Sequence, residues 1–148
     1  MSADEKAAED VVGTLRDGQN GYDSAIERLG EEAPADVLDH LRAISAERKQ
    51  FADRIVALGG KYGDDVQEDG SVAASLHRGW INLKDKLTGA DAGAVLASCA
   101  KGDEHAISVY EDALGKDDLS PNFRRILEGQ LQEIRQNHAE MERLAEAH

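Results

Sequence analysis

Aromatic residues are scarce in this sequence, at 4% of the chain, and it has two prolines, one cysteine and one tryptophan. The lone Cys99 can close no internal disulfide, which implies a reducing compartment and a cytoplasmic protein. So few prolines leave room for long unbroken helices. Basic charge is short as well: Lys and Arg total 17 against 30 Asp and Glu, a formal net charge of −13 at pH 7. Such a chain repels a phosphate backbone and an anionic bilayer, so neither nucleic acid nor membrane is expected as a partner. No apolar run reaches membrane-spanning length, and Met1-Ser2-Ala3-Asp4-Glu5-Lys6 does not read as a secretory signal. Alternation of period two is absent, which excludes a β protein. No Gly-rich phosphate loop or nucleophile elbow occurs.

What is present is a chain of 148 residues with 41% hydrophobic content, enough for one core and one domain over residues 1–148. Its helices show in their punctuation. Ser2 with Glu5 forms a capping box. Val11, Leu15, Tyr22, Ile26 and Leu29 follow at helical spacing, and Gly30 stops the run. Pro34 stands where a first helical residue belongs, and Val37, Leu41, Ile44, Phe51, Ile55 and Leu58 line one face. Val95, Cys99, Ala106, Tyr110 and Ala113 form a third stripe, capped by Asp91 and ended by Gly115. Ser120-Pro121 opens the last helix, with Phe123, Leu127, Ile134, Met141 and Leu144. The segments near 3–29, 34–58, 91–114 and 121–147 are matched rods of about 36–40 Å.

Four such rods predict an all-α, ferritin-like four-helix bundle. Short turns make two antiparallel hairpins. The connection over residues 59–90 is long and carries its own short helix from Ser71 through Leu76, Trp80, Leu83 and Leu87. An up-down five-helix arrangement is the structural alternative. A faint internal echo relates the halves: Gly18, Ser24 and Glu27 recur as Gly102, Ser108 and Glu111. Glu47-x-Lys49-Gln50 is answered by Glu133-x-Arg135-Gln136.

A di-iron centre in such a bundle takes Glu-x-x-His pairs, and this chain has none. Its nearest forms end in Gln50 and Gln136, poor substitutes for imidazole at a transition metal. Helical phase adds to this. At about 100° per residue, Arg48 falls at the centre of its stripe, between Ile44, Phe51 and Ile55. Gln130 lies within its own stripe, as do Gly18 and Gly102. All four sit near mid-length, so the expected middle layer is Gly18, Arg48, Gly102 and Gln130. The guanidinium fills the volume a metal pair would take, and the glycines make room for it. A buried arginine must be paired, and Glu47, Asp103, Glu133 and the Gln130 carbonyl are the available acceptors. The competing reading lets Arg48 run along the flank to solvent.

Other residues carry weaker signals. An iron or zinc site would draw on Glu47, Glu133, His138 and His105, although no spacing demands it. Trp80, with His77 one turn before it, anchors the connecting helix on the bundle. Cys99 reads as a small core residue, and His40 with Asp36 as a surface pair.

Several stretches resemble a bacterial family of small ferritin-like bundles, the domain of unknown function DUF2383. They are Asp17-Gly18-Gln19-Asn20-Gly21-Tyr22, Leu76-His77-Arg78-Gly79-Trp80-Ile81-Asn82-Leu83-Lys84, Leu87-Thr88-Gly89, Tyr110-Glu111-Asp112-Ala113-Leu114 and Gln130-Leu131-Gln132-Glu133-Ile134 with His138. The segment His77 to Lys84 is the specific part. The resemblance implies the bundle and no assigned activity. Family members often place an acid just after the cysteine of the third main helix, where this chain has Ala100. The expected function is therefore non-catalytic and without a cofactor. The bundle would act through its surface, by self-assembly or by a protein partner, in a role such as a stress response. The alternative is a divergent di-iron or zinc carboxylate bundle with a redox or metal-handling role. A small-ligand pocket left by the two glycines is a third, minor option.

Overall fold

In the computed structural model of the chain, residues 3–31, 33–58 and 92–148 are described. They form four α-helices, α1 (Ala3–Leu29), α2 (Ala35–Ala57), α3 (Ala92–Leu114) and α4 (Pro121–Ala147), and no strand among the described residues. The expected connecting helix, its His77 and Trp80, and the caps Ser2 and Asp91 lie outside the described residues.

Local chemistry sets the helix ends. Gly30 follows α1 at φ 71°, a backbone state that costs a residue without Cβ little, and its N–H bonds the Ile26 carbonyl. Pro34 proves to be the N-cap of α2 rather than its first helical residue: its ψ of 138° is extended, and Ala35 begins the helix. Ser120 caps α4, its hydroxyl accepting from the Phe123 N–H, with Pro121 at the first helical position. Asp4 of α1 accepts the Ser120 N–H at 2.9 Å, which ties that corner to α1.

The helices pack as an antiparallel four-helix bundle. Arg16 meets Asp53 and Asp23 meets Ser45, so α1 runs against α2. Tyr110 meets Gln130, and Glu104 meets His138, so α3 runs against α4. Tyr22 meets Asp103 while Asp4 meets Ser120, so α1 also runs against α3. Glu47 meets Asn137 and Asp36 meets His148, so α2 runs against α4. It follows that α2 and α3 point the same way, with the end of α2 and the start of α3 at opposite ends of the bundle. No helix among the described residues is long and apolar enough to cross a membrane.

The apolar interior falls into two clusters. One, toward the start of α1, holds Val11, Leu15, Ile55, Phe123, Leu127 and Ile134. The other, toward its end, holds Leu29, Val37, Leu41, Val95, Leu96 and Met141. Polar side chains occupy the space between.

Candidate functional site

The divide between the clusters is built around Arg48, the largest of the fully buried side chains among the described residues, at 1% exposure. Its position follows from α2, where Ile44, Arg48 and Ile55 share the inward face. One guanidinium nitrogen donates to Glu47 at 3.0 Å and another to Asp103 at 3.2 Å. The second oxygen of Asp103 accepts from the Tyr22 hydroxyl at 2.5 Å. Glu47 in turn accepts from the Asn137 amide at 2.6 Å. The guanidinium also lies over the Tyr22 ring, 5.9 Å from its centroid. Both oxygens of Asp103 are thus engaged, and the cation has two carboxylate partners, the condition under which a charge tolerates burial.

A second pair closes the layer. The Tyr110 hydroxyl donates to the Gln130 carbonyl at 2.6 Å, and the Gln130 amide reaches the Phe51 carbonyl at 3.4 Å. Gln130 therefore serves Tyr110 and α2, and Arg48 takes its acceptors from α2 and α3.

Burial sets the electrostatics. It pushes the Asp103 carboxyl up, against the pull of Arg48. It raises half-buried Glu47 too, with Arg48 and Asn137 opposing and Glu133 adding a little. Burial likewise raises the Tyr22 and Tyr110 hydroxyls and the Cys99 thiol, with the charge of Asp103 reinforcing Tyr22 and Cys99. All three groups stay protonated near neutral pH, and a protonated buried thiol is no nucleophile.

The family model for the domain of unknown function DUF2383 matches residues 5–116. The chain belongs to the DUF2383 family. The matched span includes Tyr22, Glu47, Arg48 and Asp103, whereas Gln130, Asn137 and His138 of this DUF2383 protein lie beyond it. No curated protein and no solved structure matches the chain.

Among the residues singled out from sequence, Gly18, Arg48, Gly102 and Gln130 are all buried. The guanidinium does not press into the space beside Gly18, however: a Cβ there would meet no atom within 4 Å. Glu47 is half-buried, while Glu133 and His105 are exposed. The His138 side chain is 16% exposed, with Nε2 3.2 Å from Glu142 and 3.9 Å from Glu104. Its Nδ1 is buried without a hydrogen-bond partner. Among the described residues, no three of His, Cys, Asp and Glu are grouped to hold a metal ion. His40 is not paired with Asp36, which instead faces His148 at 3.5 Å. The Nε2 atom of His40 is buried, and that burial lowers its pKa against the opposing charges of Glu140 and Asp103. It stands one turn before Ile44 on the inward side of α2, which turns the ring from solvent.

Sequence reasoning treated Tyr22 and Tyr110 only as apolar, and it missed Asn137. A buried tyrosine needs a partner for its hydroxyl, so their places in the stripes were a signal for polar neighbours. Asn137 falls between Ile134 and Met141 at helical spacing, an inward position that its polarity disguised.

Proposed function

We propose that this DUF2383 protein is a non-catalytic bundle of ferritin-like topology that acts through its surface, by self-assembly or by a protein partner. One observation carries the reading: the fully buried Arg48, held by Asp103 and Glu47, takes up the bundle centre. A metal placed there would meet a fixed cation, and the nearest carboxylates already spend oxygens on it. The raised thiol and hydroxyls point the same way, since none is an activated nucleophile. The ferritin-like topology is supported by the opposite placement of the end of α2 and the start of α3.

The alternative, a divergent iron or zinc bundle using Glu47, Glu133, His138 or His105, has one observation on its side. It is the unpartnered Nδ1 of His138. Elemental mass spectrometry on untagged protein, grown in iron- and zinc-replete medium, separates the two. The expected result is far below one metal per chain. A near-stoichiometric iron or zinc signal that disappears in His138→Ala overturns the proposal.

A further inference from the structure

The helices α2 and α4 touch at few points, and an open groove of about 370 Å³ lies between them. It sits toward the end of the bundle where α2 finishes. Phe51 and Ile126, both half-buried, give it an apolar floor. Gly129 keeps one wall low, because no side chain projects there and a Cβ would meet no atom within 4 Å. Arg54 and Arg125 border it, with Glu133 the one acid among the described residues that line it.

Those two arginines are unusual in this molecule. Every other arginine among the described residues has an interaction partner, whether carboxylate, carbonyl or another group. Arg54 and Arg125 have none among the described residues, although the chain carries 30 acids. Two guanidinium forks without a partner among the described residues, set over an apolar strip, are matched by carboxylates spaced along an amphipathic helix. An open groove would leave too much of a small molecule in water, since ligand pockets bury most of their occupant.

The geometry points to this groove as the docking site for an acidic amphipathic helix of a partner protein, its apolar side on Phe51 and Ile126 and its carboxylates on Arg54 and Arg125. The inference rests on the surface-acting role proposed above and names its partner class.

A photo-crosslinking residue, p-benzoylphenylalanine, placed at Gly129 of the full chain in its host cells tests this. Mass spectrometry of the adduct should identify a peptide of another protein with Asp or Glu at helical spacing beside an apolar stripe. Arg54→Glu with Arg125→Glu should cut the adduct about tenfold, and Arg54→Lys with Arg125→Lys should keep most of it. Circular dichroism of each variant checks that the bundle is intact. An adduct only to this chain, an adduct to phospholipid, no adduct, or a yield indifferent to the charge reversal overturns the proposal. Metal in the bundle centre would instead overturn the non-catalytic reading while leaving the adduct unchanged, so the two failures are told apart.

Discussion

Arg48 stakes more on its neighbours than any other side chain here. Truncation leaves Asp103 buried and facing only Tyr22, so Arg48→Ala should cost about 3–5 kcal/mol in urea unfolding. Arg48→Met fills the volume without the charge and should cost much less than Arg48→Ala. A loss below about 1 kcal/mol for the alanine variant would mean that the pair contributes no more than an exposed one. Gly18→Ala should go the other way. Its Cβ meets nothing, and mid-helix alanine is favoured over glycine by about 0.5–1 kcal/mol, so the urea midpoint should rise. Glu47 gives a prediction in pH. A carboxyl whose folded pKa lies above its unfolded value supports the fold fully below about pH 4 and loses that support as pH climbs through the folded pKa. Urea melts of Glu47→Gln from acid toward neutral pH should show a shallower fall than wild type, with Asp103 supplying the remainder. Arg48 was legible in the sequence because phase along one helix needs no knowledge of its neighbours. Its choice of Asp103 over Glu133 was not, since that depends on the axial register between helices, which no single stripe encodes.

The helices themselves were the most legible layer. Their observed ends differ from those read off caps, glycines and prolines by about one residue, as at Pro34. That agreement rests on local bonds of the kind seen at Ser120. Ser120→Ala should remove the cap of α4 and cost about 1 kcal/mol, a fall of about 2–4 °C in melting temperature by circular dichroism. Arg124 stabilises the same corner by donating to the Leu114 and Lys116 carbonyls, so the last turn of α3 should persist in that variant. The internal echo between the hairpins did not carry into the centre. The offset that maps Glu47 onto Glu133 maps Arg48 onto Ile134, a core residue, and Glu133 is exposed where Glu47 is half-buried. Two similar hairpins thus enclose an asymmetric polar layer, with the cation from one and its buried carboxylate from the other.

The whole molecule carries a large excess of negative charge around that layer. Self-repulsion at −13 should outweigh the few exposed ion pairs, so its thermal midpoint should rise as salt goes from roughly 10 to 150 mM. A midpoint that falls would assign the surface pairs more weight than their exposure suggests. The antiparallel pairings have a separate, practical consequence. Asp4 sits at the Ser120 corner, and His148 sits beside Asp36 at the other end. The start of α1 and the end of α4 are therefore about 40 Å apart, the length of a 27-residue helix. A circular permutation joining them would need a bridge of at least about 12 extended residues. A donor and acceptor dye placed at Ala3 and Ala147 would read the bundle as an internal ruler, held at one spacing while the rods stay aligned.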